Sequence, residues 1–176
     1  MKNVSTIHNC YGCGVCAVSC GKKIINIRLN EDGFYAPYID EPEKCMECGI
    51  CLDVCAFNHK ERALKPEEVQ IKSWAAWSND EAVRRKCSSG GIGFEIGKQL
   101  IEQGFHAVGC RYDINEQRAE HYIATTVEEF VQSIGSKYIQ SYTEEAFKLI
   151  KRKGQKYLII GTPCQIDSFR RMIRKF

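Results

Sequence analysis

Cysteine spacing constrains this chain more than any other feature. Eight of its eleven cysteines fall into two copies of one pattern. Cys10-Tyr-Gly-Cys13-Gly-Val-Cys16-Ala-Val-Ser-Cys20 has gaps of two, two and three residues, and Cys45-Met-Glu-Cys48-Gly-Ile-Cys51-Leu-Asp-Val-Cys55 repeats them. A two-residue gap lets the backbone curl with its sulfurs inward, so three thiolates can wrap a compact turn around three irons of a cubane. The fourth cysteine lies one helical turn further on, aimed away from its own loop, which suits it to the other cluster. The implied ligand sets are Cys10, Cys13, Cys16 and Cys55 for one [4Fe–4S] cluster, and Cys45, Cys48, Cys51 and Cys20 for the other. Structural zinc uses Cys-x2-Cys pairs with a wider gap before the second pair, and fits this spacing poorly.

This stretch resembles the two-cluster bacterial ferredoxins, with Gly21 and Ala56 where a proline is expected after each fourth cysteine. A disulfide framework would suit a small secreted chain, but Met1-Lys-Asn-Val-Ser carries no signal-peptide pattern, so reduced thiols and a cytoplasmic setting are expected. A net charge of +3 is too mild to argue for nucleic acid. No apolar run approaches the roughly 18 residues that a spanning helix needs. Only Cys87, Cys110 and Cys164 follow residue 56, so the 176 residues read as two domains. These are a two-cluster ferredoxin-like domain over 1–60, a linker over 61–73 containing Pro66, and an α/β domain over 74–176. The expected fold class is α+β: the small ferredoxin-like domain, then an incomplete α/β domain with a mixed sheet.

Between the cysteine copies, Ile25, Ile27 and Leu29 alternate with polar residues, as do Phe34, Ala36 and Tyr38. Asn30-Glu-Asp-Gly33 between them predicts a hairpin turn with Gly33 at positive φ. Trp74–Trp77 reads as a strand. Ser88-Ser89-Gly90-Gly91 opens a helix with Ile92, Ile96 and Leu100 on one face, and two hydroxyls, flexible amides and a helix N-terminus together suit an anion. Gly93 and Gly97 keep one face of that helix flat, for close packing or for a cofactor. Residues 107–112 and 121–124 predict a strand pair, with His106 and His121 as half-buried strand residues. Thr143 is expected to cap a helix through Ile150, closed by Lys151, Arg152, Lys153 and Gly154. Tyr157–Ile160 reads as a central strand running into Gly161-Thr162-Pro163-Cys164-Gln165. That junction sets Thr162 and Cys164 at the carboxyl end of the strand, where open α/β sheets bind ligands.

Ser88-Ser-Gly-Gly91, then Gly135-Ser136-Lys137-Tyr138 with Gln140-Ser141, then Gly161-Thr-Pro-Cys-Gln165 follow the ferredoxin unit in that order. In this combination the chain resembles the coenzyme F420 hydrogenase/dehydrogenase beta-subunit family. The resemblance implies an oxidoreductase subunit that passes electrons between two [4Fe–4S] clusters and a flavin such as FAD. From there electrons reach a two-electron acceptor, coenzyme F420 or another small redox molecule. It also implies a flavin site lined by Ser88, Ser89, Gly90, Gly91, Ser136 and Lys137, with the loop of Thr162 and Cys164 beside it. Members of the family continue further, so the chain is expected to lack a C-terminal domain, or to meet it as a redox partner protein, and to hold flavin weakly alone. The final helix, with its stripe of Ile166, Phe169, Ile173 and Phe176, is expected to be uncovered. The alternative is a ferredoxin-type electron carrier with a docking domain and no flavin.

Overall fold

A computed structural model describes residues 3–8, 10–61, 72–150 and 153–175. In chain order the elements are α1 (Val15–Ser19), β1 (Ile25–Leu29), β2 (Tyr35–Ile39), α2 (Ile50–Asp53), α3 (Glu81–Lys86), α4 (Ile92–Glu102), β3 (His106–Asp113), β4 (Arg118–Ala124), α5 (Val127–Phe130), α6 (Glu144–Lys148), β5 (Tyr157–Ile159) and α7 (Pro163–Lys175). The fold is mixed α+β, with a two-stranded sheet in the N-terminal part and a mixed three-stranded sheet after it. The expected linker falls mostly outside the described residues, as do Pro66, Lys151, Arg152 and Phe176. Contacts divide the chain into two compact units: 1–70 with 142–149 and 161–176, and 71–141 with 150–160.

The first unit is built on the β1–β2 hairpin, whose turn holds Gly33 at φ 79° as expected. Its register pairs Ile25 with Ile39, Ile27 with Pro37 and Leu29 with Tyr35. Residues opposite each other share a face, so Tyr35 and Ile39, rather than Phe34 and Tyr38, join Ile25 and Ile27 at the core. Phe34 and Tyr38 face outward, at 59% and 51% exposure. Val4, Cys16, Ala17, Ile24 and Cys51 complete the core, with Tyr142 packed on it.

Helices α6 and α7 pack on α1. Gly14 makes the first contact possible: it sits at φ 77°, and a Cβ there would lie 2.0 Å from Thr143 Oγ1. Thr143 is fully buried in this contact and does not cap α6 through its side chain. The helix ends at Lys148, two residues short of the expected Ile150. Glu144 turns back to accept a hydrogen bond from the Ile27 N–H of β1 and pairs with Lys148 at 2.6 Å. On α7 the inward residues are Gln165, Ser168, Phe169 and Met172, with the Phe169 ring 4.9 Å from that of Phe147. The expected apolar stripe is therefore covered at Phe169, while Ile173 is 67% exposed.

In the second unit the sheet order is β4-β3-β5, antiparallel between β3 and β4 and parallel between β3 and β5. The β3–β4 hairpin matches the expected strand pair. β5 is an edge strand rather than the central one, and β3 takes the centre, burying Ala107 and Val108 completely. Residues 72–78 form no strand, and Trp74 and Trp77 are exposed at 83% and 61%. This segment pairs with a loop instead of a sheet, since the Ser78 N–H donates to the Gly90 carbonyl at 2.7 Å. The core gathers Ile101, Ala107, Tyr122, Ala124 and Phe130. Gly97 answers the question its helix raised: a Cβ there would lie 2.1 Å from the Phe130 ring, so the flat face serves packing at this position. Gly93 has open space around it.

Candidate functional site

Each cysteine triplet turns through left-handed residues at the same two positions. These are Gly12 (φ 66°) and Gly14 (φ 77°) in the first copy, and Glu47 (φ 51°) and Gly49 (φ 74°) in the second. The second of each pair precedes a short helix, α1 or α2, that carries the third cysteine, Cys16 or Cys51. The fourth cysteines also share a backbone conformation, Cys20 at φ −74°, ψ 108° and Cys55 at φ −76°, ψ 113°. The repeat seen in the spacing is thus a repeat of geometry.

Two cavities open among these thiols. One is lined by Cys10, Cys13, Cys16 and Cys55, with Val4, Ile7 and Phe57 among its walls. The other, of about 360 Å³, is lined by Cys20, Cys45, Cys48 and Cys51, with Ile24, Ile25 and Ile39. Each cavity therefore meets three thiols of one copy and the fourth of the other. Four soft sulfur donors in an apolar surround fit a [4Fe–4S] cluster, and polar donors are aimed at some of those sulfurs. The Gly12 N–H donates to Cys10 Sγ at 3.3 Å, and the Asn3 carboxamide N–H to Cys45 Sγ at 3.6 Å. Burial pushes the Cys13 thiol up to about 11 and the Cys16 thiol well above its ordinary value, and it raises Cys10 and Cys51 too. These groups stay protonated at neutral pH until a metal displaces their protons.

Cys164 lies 3.1 Å from Thr162 Oγ1, at the start of α7. Both border on Gln165, whose side-chain oxygen accepts the Thr162 N–H at 2.8 Å. A groove of about 380 Å³ runs past Cys164, Tyr11, His59 and Asp167.

The residues expected to line a flavin divide between the two units. Ser88 and Ser136 meet, the Ser136 N–H donating to Ser88 Oγ at 2.8 Å. Ser88 and Ser89 are exposed, and Gly90 is tucked so that a Cβ would lie 2.6 Å from the Ala76 carbonyl oxygen. Gly91 precedes α4 at φ 81°, with no side chain capping that helix. Lys137 turns its ammonium to the carbonyls of Gln132, Ile134 and Gly135 at 3.2, 3.1 and 3.0 Å, and burial lowers its pKa. Thr162 and Cys164 belong to the first unit, the other loops to the second.

Residues 9–59 match the family described as the 4Fe-4S dicluster domain. Residues 73–148 match coenzyme F420 hydrogenase/dehydrogenase, beta subunit, N-terminal part. The chain is a dicluster iron–sulfur domain followed by the N-terminal domain of the F420 hydrogenase/dehydrogenase beta-subunit family. No curated protein matches it significantly. As a member of that family it is an iron–sulfur electron-transfer subunit, and no helix among its described residues is long and apolar enough to cross a membrane. The dicluster match ends at residue 59 and the beta-subunit match at 148, so α7, with Ser168 and Cys164, lies outside both.

Two contributors to the dicluster domain have no motif of their own. Ser168 is fully buried, accepts the Ala56 N–H at 3.0 Å and lies 3.7 Å from Cys13 Sγ. Asn3 is 1% exposed. An asparagine followed two residues later by serine is a readable local turn, since Asn3 Oδ1 accepts the Ser5 N–H at 3.0 Å. Nothing in the sequence links Ser168 to a cysteine 155 residues earlier.

Proposed function

We propose that this subunit holds two [4Fe–4S] clusters with crossed ligation and passes electrons between them and a flavin, which exchanges two electrons with coenzyme F420 or another small acceptor. The observation that carries the reading is the pair of four-thiol cavities, each taking three cysteines from one copy and one from the other. When bound, each cluster supplies a one-electron relay. The chain's own part is to present Cys10, Cys13, Cys16 and Cys55 on one side and Cys45, Cys48, Cys51 and Cys20 on the other. Apolar side chains exclude water, and N–H groups meet the charge on sulfur. Ser88 and Ser136, joined by a hydrogen bond at the open start of α4, support a site for the flavin phosphates. The beta-subunit match supports assembly with partner subunits and oxidoreductase activity in the complex.

A carrier without flavin is the second reading, and the engagement of Lys137 with three carbonyls favours it, because that ammonium is not presented to an anion. Anaerobic reconstitution with iron, sulfide and excess FAD separates the two. The expected product holds about eight irons and about eight acid-labile sulfides per chain, with FAD bound weakly but saturably when the reconstituted chain is titrated. Stoichiometric zinc without labile sulfide would refute the cluster reading. Full iron with no saturable FAD binding would leave the carrier.

A further inference from the structure

The two cysteine cavities are alike in their thiols but differ in the side chain that reaches each. At the cavity of Cys10, Cys13, Cys16 and Cys55 the group is the Ser168 hydroxyl, fully buried and 3.7 Å from Cys13 Sγ. At the cavity of Cys20, Cys45, Cys48 and Cys51 it is the Asn3 carboxamide, 3.6 Å from Cys45 Sγ. Both side chains have their oxygen engaged elsewhere. Ser168 Oγ accepts the Ala56 N–H at 3.0 Å, and Asn3 Oδ1 accepts the Ser5 N–H at 3.0 Å and also the Ser5 hydroxyl. An iron-bound cysteine sulfur carries no proton and can only accept. With the Ala56 N–H fixed on the Ser168 oxygen, the hydroxyl hydrogen is left to point at Cys13. The Asn3 amide N–H is held toward Cys45 in the same way.

We propose that Ser168 and Asn3 are positioning residues that set the reduction potentials of the two clusters separately, one donor to each. This rests on the two-cluster reading above. A cluster gains an electron on reduction and spreads it over its sulfurs, so a donor on a ligand sulfur favours the reduced state and raises the potential. The two donors differ in kind, a hydroxyl against an amide, and in origin. Asn3 precedes the first cysteine, whereas Ser168 comes from α7, beyond both matched family segments. The potential of one cluster is thereby tied to the placement of α7.

The test uses the whole reconstituted chain, with Ser168→Ala and Asn3→Ala compared with the unaltered protein by EPR-monitored redox titration and by iron and sulfide content. Ser168→Ala should move the cluster of Cys13 to a more negative potential and leave the other in place. Asn3→Ala should do the reverse, with full iron in both. If one variant loses its iron, the other decides the matter, because a shift confined to one named cluster is not what general destabilisation gives. Unmoved potentials at full iron overturn the proposal, and so does iron loss in both variants, which would make the two side chains purely structural. Absence of labile sulfide from the unaltered protein would instead refute the two-cluster reading beneath it.

Discussion

His121 enters β4 with 6% of its surface exposed and its Nδ1 3.0 Å from the Ser141 hydroxyl. Burial holds its pKa down at about 4, against an ordinary value of 6.5. The unfolded chain takes up this proton near pH 6.5, and the folded one resists until about 4. Between those values the unfolded state binds more protons, so the stabilising effect is complete above pH 6.5 and is lost as pH falls toward 4. The loss approaches roughly 3 kcal/mol for a shift of this size. Urea melts at pH 7 and pH 4.5 should show the wild type losing about 2 kcal/mol or more beyond any loss in His121→Asn. Equal losses in both proteins would mean that this imidazole is not responsible. The sequence placed His121 in a strand correctly through the alternation around it, but its depth is set by β3 and the segments beyond, which no local pattern reports.

Among the elements, α4 offers a matched pair of substitutions. Gly97 faces the buried Phe130 ring, which stacks in turn on Phe94 at 5.7 Å, so an added methyl has nowhere to go. Gly97→Ala should destabilise the protein by about 1–3 kcal/mol. Gly93 is exposed, with nothing within 4 Å, and Gly93→Ala should stabilise it by up to about 1 kcal/mol through helix propensity alone. Denaturant midpoints of the two variants moving in the same direction would contradict the packing described. The spacing of the glycines was visible in the sequence; which of them met a ring was not, because Phe130 lies in α5, a short helix that no long apolar period marks. Its signal was there in Thr126-Val-Glu-Glu129, a capping box that the structure forms in full. The outward turn of Phe34 and Tyr38 has a similar origin, since a one-residue change in turn length reverses every side chain of the second strand.

At the scale of the whole molecule, the crossed ligation proposed above would make Cys20 and Cys48 partners on one cluster, and Cys55 and Cys13 partners on the other. EPR spectra of the four cysteine-to-serine variants should therefore fall into those two pairs. Cys20→Ser resembling Cys13→Ser would mean that each loop closes on itself. The mixed α+β class and the cysteine geometry were legible because spacing dictates them over a dozen residues. The edge position of β5 and the burial of Ser168 were not, since both depend on where the chain returns after residue 141.

That return has a consequence during synthesis. Ser168 is made 112 residues after Ala56, whose amide it receives. At about 5–20 residues per second the interval is on the order of 10 s. Throughout it, all eight cysteines have been translated while the wall that α6 and α7 together supply to α1 is still incomplete. A nascent chain that met iron early would bind it before that wall was in place. One that met oxygen early would offer its thiols with that flank bare.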